Sequence, residues 1–439
     1  HHGDDPTLPG YTVDELVHLS RSVVSGQRLT AFRALPKVLQ RRRDVLEDRP
    51  TGQVVTPTKL PRSLGQVLIL GLRSDVLAVM YEAIASVHAW LVPKQFLREQ
   101  ASNAGYKRHE AWPHIEHAQS PHCTMATRHV VDAVGEAELQ RNSKDEASEE
   151  TADGVLARLS EEDPVRWAIR SGMLEYFDRI LASSLPSAGT EDAFLPIELA
   201  RCIMDTLAYA ASHSIAAAKT IWDNQKLIDT VRLVYIEGNS GAENGSGGTV
   251  IHNAIRFVRT LCQMDRSIAG DVAAPDGLSD SVKRYLLSPE MLSHFFAHDS
   301  IDGSAGTNAE WFACVMETMQ LWRVCLSMGL DVPSFMAMHE PLRQLPGRAA
   351  AGEDRKVLAN MVYAVCSARA LAFRSKPTGK RGNSNNESAE SVQVELEMYL
   401  KSALEALDAS LKPNGTKVVA ASLHFISTYC TCNFPPSRW

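Results

Sequence analysis

The sequence predicts an all-α protein: an irregular armadillo- or HEAT-like helical repeat, an α-solenoid, with a compact helical bundle as the alternative. Three observations predict it. Apolar residues recur at helical rather than strand spacing in most segments. Segments of about ten to twenty residues follow one another across short turns, broken by a few long polar inserts, as in stacked helical repeats. Helix-start signatures stand ahead of several of these segments. No clean repeat period is present, so the array is irregular.

The elements run as follows. Thr12-Val13-Asp14-Glu15 is a capping box, in which the threonine hydroxyl and the glutamate carboxylate each accept a backbone N–H of the other residue. Tyr11 and Leu16 occupy the two positions of a hydrophobic staple. The helix they open is expected over 13–24, ending at Ser25-Gly26. A second starts near Gln27, with Leu29, Phe32, Leu35, Val38 and Leu39 on one stripe. Further helices are expected over 60–71 and 74–91, before Pro93. Asp163-Pro164 is an N-cap with proline at the first helical position, and Val165, Ile169, Leu174 and Phe177 carry the apolar face that follows. Helices are then expected over 197–213, 215–222, 225–235, 250–262, 267–273, 278–287 and 289–298. Thr307-Asn308-Ala309-Glu310 is a second capping box, opening a helix through Trp311, Val315, Met319, Trp322 and Leu326. Segments 333–342, 354–373, 392–407 and 417–430 complete the set.

These elements divide the chain into residues 1–92 with the opening motif and first helices, a polar and acidic insert at 93–153 that is expected to be largely disordered, a helical-repeat region at 154–373, a linker at 374–391 and C-terminal helices at 392–439. With 439 residues, 44% of them hydrophobic, the chain is long enough to bury a large core. Its formal charge of −7, from 45 Lys+Arg against 52 Asp+Glu, argues against direct nucleic-acid binding by the whole chain. No apolar window is long enough to cross a membrane: Val67–Leu72 is short, and Leu77–Val92 is interrupted by Glu82 and His88. Eight scattered cysteines, mostly in apolar stretches such as Leu261-Cys262, suit reduced, buried thiols. The chain lacks an initiator methionine and opens inside a motif, so it reads as a fragment.

Other constellations carry less. His109, His114, His117, His122, Cys123 and His129 include an H-x-x-H spacing, which makes this stretch the best zinc candidate, as a binding module or a metal-dependent enzyme. It has no C-x-x-C, and Pro113 opposes the helix that would set His109 and His114 on one face. Cys430 and Cys432 read as two thiols rather than a metal site. The glycine-rich run 241–248 lacks the Lys-Ser/Thr of a phosphate loop and reads as a linker. Arg41-Arg42-Arg43 and Lys376 to Arg381 are short basic runs. They read as solvated charge, the alternative being a role in nuclear import or contact with an acidic partner.

The opening run decides the functional expectation. His1-His2-Gly3-Asp4-Asp5-Pro6, Gly10-Tyr11-Thr12, Glu15-Leu16, Leu19, Arg21-Ser22 and Gln27-Arg28 closely resemble the C-terminal homology region of the RNA polymerase II-associated protein 1 family, with its H-H-G-[DE]-[DE]-P-x-x-x-G-Y-[ST]-x-x-E-L-x-x-L-x-R-S-x-x-x-x-Q-R run. The likeness continues, more weakly and collinearly, through 163–181, 197–235, 250–273 and 309–330. The resemblance implies a non-enzymatic scaffold or adaptor without cofactor, acting in polymerase assembly, nuclear import and transcription, in cytoplasm and nucleus. Its implied partners are RNA polymerase II subunits, GPN-loop GTPases and chaperone or prefoldin-like adaptors. A generic importin-like adaptor, binding basic cargo in an acidic groove, is a further expectation. The candidate partner-binding or motif residues are His1, His2, Gly3, Pro6, Gly10, Tyr11, Thr12, Glu15, Leu16, Arg21, Ser22, Gln27 and Arg28. Tyr11, Thr12, Glu15 and Leu16 have a mechanical account as a capped helix start. His1, His2, Arg21 and Arg28 do not, which marks them for presentation to a partner or for anchoring the leading loop.

Overall fold

The structure, a computed structural model, describes residues 11–47, 60–98, 163–183, 195–237, 251–274, 277–279, 281–282, 305–330, 332, 362, 365–366, 397–398, 400–401 and 404. Every regular element among them is helical. They fall into two compact units that divide between Thr249 and Val250, inside the stretch read above as one repeat region.

The first unit contains α1 (Val13–Leu19), α2 (Ser25–Glu47), α3 (Leu64–Gly71), α4 (Leu77–Leu91), α5 (Pro164–Arg170), α6 (Met173–Ala182), α7 (Ile197–His213), α8 (Ile215–Asp223) and α9 (Gln225–Thr230), which runs into one π turn, Val231–Ile236. The helices stack in two rows. α4 lies between α2 and α7, so α2, α4 and α7 form one row. α3 packs on α4 and also on α5, α5 on α6, and α6 on α9, which gives the second row. This stacking of non-consecutive helices is how solenoid repeats share a continuous core.

α2, α3 and α4 meet at Gly71. A β-carbon on Gly71 would stand 2.5 Å from Phe32 Cζ and 2.8 Å from Ala83 Cβ, so only glycine lets the three backbones close. Pro36 sits inside α2 and cannot donate to the carbonyl of Phe32 four residues earlier. The buried Ser86 hydroxyl of α4 donates chiefly to Glu82 O at 2.7 Å, with the Phe32 carbonyl at 3.4 Å as its longer arm. Between the rows, Trp90 of α4 and Trp167 of α5 meet edge to face at 6.0 Å across Gly65 of α3.

Several boundaries differ from expectation, each for a local reason. α1 stops at Leu19, because the Ser20 hydroxyl donates to Val17 O and tight turn bonds follow from Arg21 and Ser22 N–H. Ser25-Gly26 therefore opens α2 rather than closing α1. α3 begins at Leu64, after a turn in which Leu64 N–H donates to Pro61 O. α4 begins at Leu77, after the Ser74 hydroxyl accepts the Val76 N–H in a turn. The apolar face after Asp163 belongs to two helices, split at Gly172, whose φ of +86° is left-handed and favours glycine. Asp163 does cap α5, accepting from Arg166 N–H at 2.9 Å, and it also pairs with His213 Nε2 at 3.2 Å, tying the start of α5 to the end of α7. Burial raises the Asp163 pKa, but His213 and the Arg166 N–H outweigh that and leave it below the usual value.

The second unit is built on α10 (His252–Met264), α11 (Arg266–Ala273) and α12 (Ala305–Ser327), each packed on the other two. Nearly every residue of α10 is buried, including Arg256 and Arg259. Both arginines reach one carboxylate: Arg256 Nε donates to Glu317 Oε1 and Arg259 Nε to Glu317 Oε2, each at 2.9 Å. Glu317 is 1% exposed. Burial pushes its pKa up, while Arg259 and Arg256, with His252 nearby, pull it further down, so it stays ionised below the usual carboxylate range. Trp322 Nε1 donates to Ser279 Oγ at 3.0 Å beside this cluster's helix. Cys262 is fully buried, and burial together with neighbouring Cys325 holds its thiol protonated. α12 begins at Ala305, two residues before Thr307, so the capping box expected there does not form the helix start.

The segments 99–162, 238–250, 333–342, 375–391 and 417–430 lie outside the described residues, as do the His109–His129 cluster, Cys430 and Cys432. Among the described residues, no group of three or more His, Cys, Asp or Glu is placed to hold a metal ion, and no helix is long and apolar enough to cross a membrane.

Two stability predictions follow from the packing. Glu317→Gln leaves two buried guanidiniums without their shared anion and should cost the second unit about 3–5 kcal/mol in denaturant unfolding; a loss within experimental error contradicts the account. Because the folded pKa is depressed, the stabilisation is complete above the unfolded value of about 4.3 and is lost as pH falls through the folded pKa. Gly71→Ala should cost about 1–3 kcal/mol by overpacking Phe32 and Ala83.

Candidate functional site

The candidate site is the corner formed by α1, the turn at residues 20–24, and the start of α2. Its first half is the capping box. Thr12 N–H donates to Glu15 Oε2 at 2.8 Å, and Glu15 N–H donates to Thr12 Oγ1 at 3.2 Å. Leu16 and Val17 are buried where α1 packs on α2. The staple is one-sided: Leu16 is 1% exposed, but Tyr11 is 56% exposed, so Leu16 draws its burial from α2 rather than from Tyr11 alone.

Its second half is a clasp. The Ser22 hydroxyl accepts the Val24 N–H at 3.1 Å and donates to Gln27 Oε1. The Arg28 guanidinium donates from Nη1 to the carbonyls of Ser22 at 2.9 Å and Val23 at 3.2 Å. A guanidinium bound to two successive carbonyls fixes the turn from within. The backbone N–H groups of Gln27 and Arg28 both return to Val24 O.

These contacts revise the roles expected of the motif. Ser22, Gln27 and Arg28 hold the turn, so Arg28 anchors the segment after α1 rather than the leading loop; its partners are backbone carbonyls, which leave no mark in a side-chain pattern. Thr12 and Glu15 do what the capping box predicts. Leu16 is core. Tyr11 and Arg21 face solvent, and His1, His2, Gly3, Pro6 and Gly10 lie outside the described residues. The clasp also exposes two valines that the sequence reading passed over: Val23 is 93% exposed and Val24 53%. A β-branched apolar residue this exposed on a turn held by four side-chain hydrogen bonds is presented in a fixed position, not left to wander. The corner offers an apolar tip beside a guanidinium, which suits protein contact.

Arg256, Arg259 and Glu317 were also missed in sequence. The signal was available: two arginines three residues apart in one apolar helix and a lone glutamate in another, complementary in charge.

This corner falls within a stretch that matches a family model. The family model described as "RPAP1-like, C-terminal" matches residues 1–43, which span α1, the clasp and most of α2. RNA polymerase II-associated protein 1 of Bos taurus is 24% identical over 355 residues, covering 78% of this chain and 23% of that protein. The same-named protein of Rattus norvegicus is 21% identical over 342 residues, covering 75% and 22%. The chain is therefore similar to RNA polymerase II-associated protein 1 and spans less than a quarter of the length of these curated relatives. Among solved structures, an engineered protein is 11% identical and overlays 95% of this chain on 98% of that chain. A chain from work on a phosphorylation switch in the interaction between cadherin and beta-catenin is 13% identical, covering 96% and 69%. Both overlays have a TM-score of 0.28, so the all-α assignment rests on the helices themselves.

Thr12→Ala should loosen the start of α1, at a cost of about 1 kcal/mol, and Thr12→Ser should restore most of it. Amide exchange over residues 13–16 reads this directly; unchanged exchange in the alanine variant contradicts a stabilising cap.

Proposed function

We propose that this chain is a non-enzymatic helical scaffold that binds RNA polymerase II or the factors that assemble it. The observation that carries the reading is the coincidence of the family match with the clasped corner. Residues 1–43 match the family model, and within them Arg21, Val23 and Val24 are turned to solvent on a turn that Ser22, Gln27 and Arg28 hold in place. Burying an apolar pair beside a cation in a partner's pocket is the usual source of binding energy at a protein interface. The relatives' name supports RNA polymerase II as the partner.

Within this reading, GPN-loop GTPases and chaperone or prefoldin-like adaptors are the further partners, polymerase assembly and nuclear import the processes, and cytoplasm and nucleus the compartments. Each follows from the family resemblance. Reciprocal co-purification from separated cytoplasmic and nuclear fractions tests them together. Polymerase recovered with these factors in the cytoplasm supports an assembly role, and recovery confined to the nucleus without them removes it.

The test of the binding surface must spare the fold. Because Val23 is 93% exposed, Val23→Asp should leave stability within about 0.5 kcal/mol. It should reduce recovered polymerase by about tenfold or more. Arg21→Glu should act in the same direction. Full recovery with both variants, in a chain whose unfolding is unchanged, contradicts binding through this corner. Leu16→Ala is the wrong probe, since it empties a core position.

A further inference from the structure

The solvent face of α2 is chemically distinct from the corner. Thr30, Arg33, Lys37, Gln40 and Arg41 are all exposed and lie along one side of the helix, with the three cations four residues apart. Arg33, Lys37 and Arg41 thus form a strip about 12 Å long. Like charges at this spacing destabilise a helix, and no acidic residue interrupts the strip. One carboxylate approaches it: Glu82 of α4 stands 3.5 Å from Arg33 Nε, in a pair whose side chains are 62% and 34% exposed. A pair this open to water is easily exchanged. No described residue pairs with Lys37 or Arg41.

Arg42 does not belong to the strip: it follows Leu35 and Leu39 on the buried stripe of α2, half-buried and with its Nε shielded from solvent. Burial lowers the Arg42 pKa from its ordinary value. Arg41 and Arg42 also sit more than a turn before the end of α2, so the helix's own C-terminal dipole is not what they neutralise.

We infer that the solvent face of α2, carrying Arg33, Lys37 and Arg41, docks an acidic polypeptide segment of the partner. The inference rests on the partner-binding reading above and names the chemistry of that partner. Carboxylates spaced along a strand or helix would meet the strip in turn. Nucleic acid suits the surface less well: the chain carries a formal charge of −7, against the clearly basic surface that phosphate tracking needs. The sign of the strip is also the reverse of what a basic cargo would require.

The test uses the full chain and a fluorescent peptide of about eight glutamates, long enough to run the strip whether helical or extended. Anisotropy is measured for the native chain and for the double variants K37A/R41A and K37E/R41E, with unfolding curves to show that each remains folded. Arg33 is left in place to keep its pair with Glu82. The native chain should bind the peptide in a salt-sensitive way, K37A/R41A more weakly, and K37E/R41E at least about tenfold more weakly, a loss of about 1.4 kcal/mol. Equal binding by all three, or no binding by the native chain, overturns the inference. Tighter binding of a short DNA duplex than of the peptide, lost in K37E/R41E, also overturns it in favour of a nucleic-acid surface. Polymerase recovery is scored separately. K37E/R41E should lower it, and full recovery would refute the strip as the polymerase contact. If the native chain recovers no polymerase, the polymerase reading fails while the peptide measurement still decides the strip.

Discussion

Both surfaces proposed for this protein depend on how tightly α2 is held against α4. α2 carries the clasped corner at its start and the basic strip along its solvent face, and α1 docks on it. The contact closes because Gly71 lacks a side chain where Phe32 and Ala83 meet. Ser86 reaches across to the carbonyl that Pro36 leaves without its helical donor, and Arg33 and Glu82 meet at the solvent edge of the same contact. Without this contact, α1 would lose the surface that buries Leu16 and Val17, and the turn between the helices would have nothing firm to be fixed to.

The corner shows how a short motif can serve structure and presentation together. Its polar residues spend their hydrogen-bonding capacity on the backbone: Glu15 and Thr12 on each other's amides, Ser22 on Val24, and Arg28 on two carbonyls. On the turn itself, Arg21, Val23 and Val24 are left facing solvent. The arrangement lowers the ordering cost that a flexible loop would incur on binding. The second unit solves a different problem. Its central helix α10 buries two arginines and satisfies both with one carboxylate, which disfavours any register of α10 on α12 that separates them.

Much of the fold was legible because helical periodicity and caps are local properties. Thr12 and Asp163 start helices as their types predict, the helix expected over 197–213 lies there, and the one expected over 267–273 begins one residue earlier at Arg266. The boundaries that moved did so through turn chemistry of single serines at 20 and 74 and the left-handed Gly172, which a periodicity scan does not weigh. The candidate site was half legible. The capping box follows from residue types at fixed spacing, whereas Arg28 acts on carbonyls five and six residues back, and Val23 matters only because the turn is rigid. The Arg41–Arg42 pair reads in sequence as ordinary solvated charge; the fold separates the two, setting Arg41 in line with exposed Arg33 and Lys37 and turning Arg42 toward the buried side of α2.

The central claim is that a partner meets this chain on the clasped corner and the adjoining face of α2. Hydrogen exchange of the full chain, alone and with purified RNA polymerase II, tests it most directly. The account predicts new protection over residues 21–42, with slow exchange at the already buried Leu16, Val17 and α4 unchanged. A stable complex in which residues 21–42 exchange as fast as in the isolated chain would contradict it.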